Sequence, residues 1–224
     1  YIGNVGGSLL TRNAASLNGK GVDASVNSIV LATKDLQLNV GGTFSYNTNK
    51  VTATYFQASN YVNYYGYYPR GISLLNGYAV DKLLVYRNAG LDANGLTQVY
   101  DEKGNKISAT QTSITSFGVF KNAGRTTAPY YGSVNATLKY KQFSLYAFLT
   151  YQFGSVFLRP TTTYYITSMY TARYDMSADI AKRWKATGDE ASTNVPGLNG
   201  TSTAVNYSLY RYQNSDINVL SGYK

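Results

Sequence analysis

The clearest pattern in the chain is a strict alternation of apolar and polar residues between positions 36 and 47. Alternation with a period of two places one set of side chains on each face of a β-strand. The apolar set is Leu36, Leu38, Val40, Phe44 and Tyr46, and the polar set is Gln37, Asn39, Thr43, Ser45 and Asn47. Strands of soluble proteins usually have about five or six residues, whereas a tilted membrane-crossing strand needs about nine to eleven. The pattern therefore predicts a strand long enough to cross a membrane.

The same alternation predicts two hairpins. The first spans 21–47 with a polar turn at 33–35, and the second spans 131–153 with a turn at 141–142. Aromatic residues flank the second turn, where a belt at a membrane interface would lie; they are Tyr140 and Phe143. In the alternative, a soluble β-sandwich, the same aromatic residues would belong to the core.

The connections are much longer than these turns. They fall within 48–130 and 154–218, and irregular loops above about 15 residues are uncommon in compact soluble domains. Outer-membrane barrels have this asymmetry, with short periplasmic turns and long extracellular loops. An even number of crossings, none or two, would then separate the hairpins, and the apolar stretch Gly71–Tyr86 is the best place for a pair.

Two smaller signals lie in the long connections. Ile180 and Trp184 are four residues apart between Met176 and Lys185, and Ser177 could cap the start, which predicts one short amphipathic loop helix. Acidic residues at positions 92 and 101 precede Asn and Gly, but they lack the ladder of oxygen ligands of a calcium-binding loop. These segments are therefore interpreted as turns.

Composition favours a membrane barrel over a soluble domain. Charged residues make up 14 % of the chain and 24 residues are tyrosine, whereas soluble domains carry about 25 % charged residues. Mean hydropathy is nevertheless −0.26. Strands that turn apolar residues to lipid and polar residues to a lumen reconcile these values. The predicted fold is all-β, part of a large transmembrane antiparallel β-barrel with long extracellular loops; a secreted β-sandwich adhesin or glycan-binding module and a passive porin are the alternatives.

The absent residue types restrict the chemistry. The chain has no Cys and no His, which excludes a disulfide framework, thiolate or imidazole metal ligands, and a nucleophile activated by histidine. We therefore expect no enzyme activity, no catalytic residues, no metal and no cofactor. The net charge is +9 but its residues are scattered, so nucleic acid is not an expected partner. A weak alternative is single-stranded nucleic-acid binding through Tyr210, Arg211 and Tyr212.

Several short motifs follow one another in a characteristic order. They are Asn18-Gly19-Lys20-Gly21-Val22-Asp23; Lys34-Asp35-Leu36 with Phe44-Ser45-Tyr46-Asn47; Tyr68-Pro69-Arg70-Gly71 with Ala89-Gly90-Leu91-Asp92; Tyr131-Gly132 with Tyr140-Lys141 and Phe143-Ser144-Leu145; and Arg183-Trp184 with Gly188-Asp189 and Asn194-Val195-Pro196. Each motif alone is weak. Their shared order resembles the C-terminal barrel part of SusC/RagA-like TonB-dependent transporters of the Bacteroidetes outer membrane.

This resemblance implies a function and a set of partners. The full protein would be a barrel of about 22 strands closed by an N-terminal plug and energised by the TonB complex. A SusD/RagB-like surface lipoprotein would cap it and trap oligopeptides or glycans for import, and a homodimer of the complex is left open. The chain, 1–224, would be a fragment of one barrel domain, surrounded by outer-membrane lipid and without the plug or a signal peptide.

Loop aromatic residues are the candidate contacts for ligand or lid, because rings offer a large contact area at a low entropy cost. They are, together with two arginines, Tyr64, Tyr65, Tyr67, Tyr68, Arg70, Arg183 and Trp184. The alternative for the tyrosines is an aromatic girdle and loop packing. The alternative for Arg183 and Trp184 is an anchor of the predicted loop helix.

Overall fold

The structure is a computed structural model that describes residues 15–55, 74–111, 117–161 and 177–223. Its strands are β1 (Ala15–Ala32), β2 (Leu36–Thr54), β3 (Lys82–Tyr86), β4 (Asn88–Leu91), β5 (Thr97–Tyr100), β6 (Lys106–Ile107), β7 (Phe120–Arg125), β8 (Tyr130–Tyr140), β9 (Phe143–Leu158) and β10 (Val219–Tyr223), and its α-helix is α1 (Ser202–Gln213). Short 3₁₀ helices lie at Phe117–Val119, Ala178–Lys182, Asp189–Ala191 and Asp216–Asn218. Strands dominate and nearly all of their pairs are antiparallel, so the all-β prediction is confirmed.

Four long strands form a continuous ladder in the order β1, β2, β8, β9. β1 and β2 pair along almost their whole length, and they include the range 21–47 where the alternation predicts a hairpin. β8 and β9 pair from Tyr130 opposite Phe153 to Tyr140 opposite Phe143. Because apolar and polar residues alternate throughout these strands, the ladder has two chemically different faces.

The two short turns lie side by side at one end of the ladder. Thr33 and Leu36 close the first turn through a Thr33 N–H bond to the Leu36 carbonyl of 2.8 Å and a Leu36 N–H bond to the Thr33 hydroxyl of 3.0 Å. In the second turn Lys141 has a positive φ of 51°, and its N–H donates to the Asp35 carbonyl at 2.8 Å. The two turns are therefore tied to each other.

The stretch predicted to hold a pair of crossing strands does not separate the hairpins. β2 pairs directly with β8, from Leu36 opposite Tyr140 to Tyr46 opposite Tyr130. Lys82–Tyr86 forms the five-residue strand β3, which is buried along its whole length and pairs with β7. Of the two alternatives left open by the sequence, the pair of crossings is wrong, because these apolar residues fill a core of their own.

That core belongs to a compact unit at the other end of the ladder, formed by 74–111, 117–125 and 177–218 and called the platform below. β3 contributes to it on both sides: Leu84 and Tyr86 face one cluster, and Leu83 and Val85 face another. The platform joins the ladder through backbone bonds between Val51 and Tyr78 and through β10, which pairs with the end of β9.

The helical content differs from the prediction. The predicted loop helix at 176–185 is a 3₁₀ helix of five residues, Ala178–Lys182, and Ser177 caps it by accepting the Asp179 N–H at 3.3 Å. The α-helix lies further on, at Ser202–Gln213, where Val205 and Leu209 pack into the platform. The prediction of a short loop helix capped by Ser177 is therefore confirmed in place, as a 3₁₀ helix, whereas α1 was not predicted, because tertiary packing stabilises that later segment.

Candidate functional site

The two faces of the four-strand ladder follow from its register, because residues opposite one another in an antiparallel pair lie on the same face. Between the two aromatic ends, the apolar face consists of six rows across the strands, each given in the order β1, β2, β8, β9. From the platform end to the turn end, the rows are Val22, Tyr46, Tyr130 and Phe153; Ala24, Phe44, Gly132 and Tyr151; Val26, Gly42, Val134 and Leu149; Ser28, Val40, Ala136 and Ala147; Leu31, Leu38, Leu138 and Leu145; and, without a β1 residue, Leu36, Tyr140 and Phe143. The polar face consists of five rows in the same order of strands and the same direction. They are Asp23, Ser45, Tyr131 and Gln152; Ser25, Thr43, Ser133 and Thr150; Asn27, Gly41, Asn135 and Phe148; Ile29, Asn39, Thr137 and Tyr146; and Ala32, Gln37, Lys139 and Ser144.

The apolar face is open rather than packed against a second layer. Val26 and Leu149 near its middle are each 66 % exposed, and Phe143 is 79 % exposed. Continuous exposed apolar areas of this kind mark an interaction surface or contact with a membrane. The apolar face therefore needs a cover that the described residues do not supply.

Aromatic rings bound the apolar face at both ends. Tyr130 stacks on Tyr46 and on Phe153 at the platform end, with ring centroids 4.9 and 5.0 Å apart, and Tyr140 lies opposite Phe143 at the turn end. Phe143 and Phe153 are ten residues apart on one strand, about 33 Å at ~3.3 Å per residue. With a tilt of about 35–45°, this length spans about 25 Å, the height of the apolar band of outer-membrane barrels.

The Tyr151 ring covers Gly132, which has no side chain, on the apolar face. A Cβ at Gly132 would overlap the Tyr151 hydroxyl and the Thr43 carbonyl oxygen, so the ring lies over the glycine of the neighbouring strand. The Tyr151 hydroxyl donates to the Thr43 carbonyl at 3.0 Å. The one hydroxyl in this row is therefore satisfied within the sheet and presents no free polar group to an apolar environment.

The polar face is lined with hydroxyl and amide groups. The Thr43 and Ser133 hydroxyls are hydrogen-bonded across the strands at 2.9 Å. Side chains of Asn27 and Asn135 approach each other over Gly41, where a Cβ would collide with both. Such groups can bond to water or to another polypeptide, as the interior of a membrane barrel requires.

An ion pair fastens the ladder to the platform. Arg125 Nε lies 3.0 Å from Asp81, and Arg125 Nη1 donates to the Asn47 carbonyl at 2.6 Å. Burial raises the pKa of Asp81, but hydrogen bonds from Arg125 and Thr127 outweigh this effect and hold the pKa below its ordinary value. The carboxylate is therefore charged and holds β7 against the end of β2.

Two of the predicted contact residues, Arg183 and Trp184, lie directly after the 3₁₀ helix Ala178–Lys182. Trp184 is only 5 % exposed; its ring lies against Gly95 and Gly197, and its Nε1–H donates to Glu190 at 2.9 Å. This hydrogen bond is the main cause of a lowered Glu190 pKa. Arg183 is half-buried and donates to the Ile180 carbonyl at 3.2 Å. The indole thus acts as a packing centre for the loop rather than as an open surface.

The other five predicted contacts, Tyr64, Tyr65, Tyr67, Tyr68 and Arg70, lie outside the described residues. Their role stays a prediction.

The weak alternative of nucleic-acid binding by 210–212 is wrong for a structural reason. Arg211 and Tyr212 are each 1 % exposed. Arg211 donates to the Ser108 and Gln111 carbonyls, both at 2.7 Å, and its burial lowers the pKa of the guanidinium. Arg211 thus fastens α1 to the segment after β6, a role that the sequence pattern did not show.

Two further features are absent from the described ranges. No group of three or more Asp, Glu, His or Cys residues there could hold a metal ion. No helix within those ranges is long and apolar enough to span a membrane.

Comparison with known proteins gives structural matches but no sequence family. No family model matches the sequence, and no curated protein matches it. Chains in three solved structures are similar in fold: the RagAB peptide transporter (TM-score 0.60, 17 % identity, 94 % of this chain), the RagAB peptide importer in the closed-closed state (0.60, 21 %, 95 %) and the same importer in the open-open state (0.61, 18 %, 93 %).

This chain spans 21 to 22 % of the length of each of those chains. At these identities the likeness concerns the fold alone. The chain has the fold of about a fifth of a chain from the RagAB peptide transporter.

Proposed function

We propose that this chain is part of the wall of a transmembrane β-barrel that imports oligopeptides across the bacterial outer membrane. The observation that carries the proposal is the exposed apolar face of the ladder, bounded by aromatic rows about 25 Å apart and backed by a polar face. The fold likeness to the RagAB peptide transporter and the ordered SusC/RagA-like motifs support it.

The alternative of a secreted β-sandwich is less consistent with these features. A sandwich packs its two sheets face to face about 10 Å apart, and its strands rarely exceed ten residues. β1 has 18 residues, β2 has 19 and β9 has 16, and the apolar face has no second sheet against it among the described strands. Lipid is a cover that matches both the length and the exposure.

The free edges of the ladder support a larger barrel. Among the described strands, β1 pairs only with β2, and residues 143–152 of β9 pair only with β8. Long unpaired edges promote aggregation, and closure into a barrel removes them. In the proposed protein further strands join these two edges, and a plug that contacts TonB fills the polar interior.

The platform is the proposed extracellular part. Long loops of outer-membrane barrels lie on the outer side, and the platform is built from the two long connections, at the end opposite the short turns. It would face a SusD/RagB-like lipoprotein and the incoming ligand. Oligopeptides are the proposed cargo because the similar structures are peptide importers; glycans are the alternative cargo.

Spin labels on adjacent residues of β9 test the wall. Leu149 lies on the apolar face and Thr150 on the polar face, and this sequence has no Cys, so in a full-length protein with any other Cys replaced, Leu149→Cys and Thr150→Cys each introduce one labelling site. In lipid vesicles the label at position 149 should collide with oxygen, which concentrates in the bilayer, and not with a water-soluble nickel complex. The label at position 150 should show the reverse. A label at 149 shielded from both reagents would indicate a protein core and support the sandwich.

Uptake by cells tests the import step. Cells that produce the full-length protein should accumulate a fluorescent oligopeptide, and deletion of TonB should abolish this accumulation. A passive porin would continue to admit the peptide without TonB. Accumulation of an oligosaccharide in place of the peptide would favour the glycan alternative.

A further inference from the structure

The apolar face of the ladder carries two charged side chains. They are Lys20 on β1 and Lys50 on β2, and the remaining residues of that face on β1, β2, β8 and β9 are uncharged. The polar face, in contrast, carries charge of both signs, with Asp23 and Lys139. The two lysines are thus a one-sign pair on a face that otherwise lacks charge.

The register places these lysines next to each other. Lys20 lies opposite Thr48, and Asn18 lies opposite Lys50, so the lysines are diagonal neighbours, whose Cα atoms lie about 7–8 Å apart in an antiparallel pair. Thr48 and Asn18 occupy the other two corners of the same square. Two ammonium groups, one hydroxyl and one amide therefore share a small area at the platform end.

Lys20 and Lys50 lie beyond the aromatic row at the platform end, on the side away from the apolar residues. Lys20 is two residues beyond Val22, and Lys50 is four residues beyond Tyr46; at ~3.3 Å per residue they lie about 7 and 13 Å further along the strands. The polar headgroup region on each side of a bilayer is roughly 5–8 Å thick, and lysine side chains can bend toward it. At a strand tilt of about 35–45° these lengths rise about 5 and 10 Å along the membrane normal, so Lys20 lies at the depth of the headgroups and the Lys50 side chain can bend back to that depth.

Neither lysine has an anionic partner among the described residues. The ion pairs found there join Lys121 to Asp216, Arg125 to Asp81 and Arg159 to Asp179. Asp23, the acidic residue closest along β1, points to the opposite face. Lys20 and Lys50 are both exposed, so a group from outside the chain can reach them.

We infer that Lys20 and Lys50, with Asn18 and Thr48, bind the phosphate group of a lipid headgroup at the platform end of the barrel. The inference rests on the proposed function, because it requires the apolar face to contact lipid. A phosphate group offers several acceptor oxygens and a charge of up to about −2, which complements two ammonium donors. In the outer leaflet of an outer membrane, the phosphates of lipid A are the groups at this depth.

The site differs in position from a ligand site for import. It lies on the outward face of the wall, whereas transported peptide would contact the polar face and the platform. We therefore expect changes at Lys20 and Lys50 to alter lipid retention without altering peptide uptake measured at saturating peptide.

Native mass spectrometry of the full-length protein tests this site. The protein is purified in detergent with diphosphorylated lipid A or with lipid A whose phosphates have been removed. Wild type should retain the phosphorylated form, and Lys20→Gln with Lys50→Gln should lower its retention about tenfold, while dephosphorylated lipid A should bind weakly to both. Lys20→Arg with Lys50→Arg should keep most of the binding.

A matched control removes the same charge elsewhere. Lys103→Gln with Lys106→Gln changes two exposed lysines, one in the β5–β6 turn and one at the start of β6, and should leave lipid A retention unchanged. Equal losses in both double variants, equal retention of the two lipids, or displacement of lipid A by micromolar inorganic phosphate would overturn the inference. Membrane insertion is measured first: a wild-type protein that fails to insert refutes the proposed function, whereas an inserted protein without lipid A binding refutes only this site.

Discussion

At the scale of single residues, Gly132 shows how closely the ladder is packed. A methyl group there would overlap the Thr43 carbonyl oxygen and the Tyr151 hydroxyl, whereas at Gly19 the nearest atom to a new Cβ, the Thr48 carbonyl oxygen, is 3.8 Å away. We expect Gly132→Ala to lower the free energy of unfolding by about 1–3 kcal/mol, as overpacking does, and Gly19→Ala to change it little. Urea unfolding of the protein in lipid vesicles measures both. Equal stability of the two variants would contradict the described position of Tyr151.

Lys82 gives the platform a pH dependence. Its side chain is buried, and this burial lowers the pKa of Lys82 to about 8, from an ordinary 10.5, with Asp81 partly offsetting the effect. Between pH of about 8 and 10.5, the Lys82 ammonium is protonated in the unfolded chain but deprotonated in the folded chain. The free energy of unfolding should therefore increase as pH rises from about 8. We expect Lys82→Met to flatten this increase, whereas Lys103→Met, in an exposed turn, should preserve it.

Trp184 is the one tryptophan of this sequence and lies in the platform, so in a full-length protein whose other tryptophans are replaced by phenylalanine its fluorescence reports the urea midpoint of the platform. Measurements should stay below pH of about 9.5, because tyrosines of the unfolded chain titrate near 10. The urea midpoint should rise less with pH in Lys82→Met than in wild type. An equal rise in both proteins would contradict the prediction.

The residue scale also shows what sequence reasoning could and could not identify. The polar turn at 101–105 was interpreted correctly, because Asp101 accepts the Lys103 and Asn105 N–H groups at 2.8 Å within a local motif. The role of Arg211 could not be predicted, because its carbonyl partners at 108 and 111 are about a hundred positions away in the chain. Local chemistry is visible in a sequence, whereas burial of a charged residue depends on the fold.

At the scale of elements, Trp184 organises the loop between the 3₁₀ helix and α1. Replacing it with Ala removes the packing on Gly95 and Gly197 and the hydrogen bond to Glu190. We expect Trp184→Ala to cost about 3–5 kcal/mol of local stability, the usual range for a buried aromatic residue. Limited proteolysis between positions 183 and 197 should therefore become much faster.

Arg183→Ala is the control for this change. Its guanidinium donates to the Ile180 carbonyl within the same turn, so its loss should have a small effect on proteolysis. Normal protease resistance in Trp184→Ala together with lost peptide uptake would instead indicate that the indole contacts ligand.

Elements differed in how well the sequence predicted them. The long strands were predictable because apolar and polar residues alternate over more than ten positions, a local pattern. α1 was not, because Ser, Thr, Asn and Tyr have modest helix propensity and the helix depends on Val205 and Leu209 packing with Leu96. The stretch that contains β3 was assigned to crossing strands because it is rich in apolar residues, but the apolar run in β3 does not alternate, as expected for a strand buried on both sides.

At the scale of the whole molecule, the platform and the turns should lie on opposite sides of the membrane. Lys103 is exposed in the β5–β6 turn of the platform, and Lys34 is exposed in the turn between β1 and β2. A membrane-impermeant thiol reagent should label Lys103→Cys in intact cells but label Lys34→Cys only after the outer membrane is permeabilised. The reverse pattern would place the platform in the periplasm and contradict its proposed contact with a surface lipoprotein.

The direct pairing of β2 with β8 has a consequence for how the protein folds. Thr43 and Ser133 meet across that pair although 90 positions separate them, so closing this contact costs about 3 kcal/mol more chain entropy than closing a three-residue turn. The platform shortens the path, because its own core, together with Arg125 bound to Asp81 and Asn47, brings the end of β2 to the start of β8. We therefore expect the platform to fold first and the pairing of β2 with β8 to be completed after it.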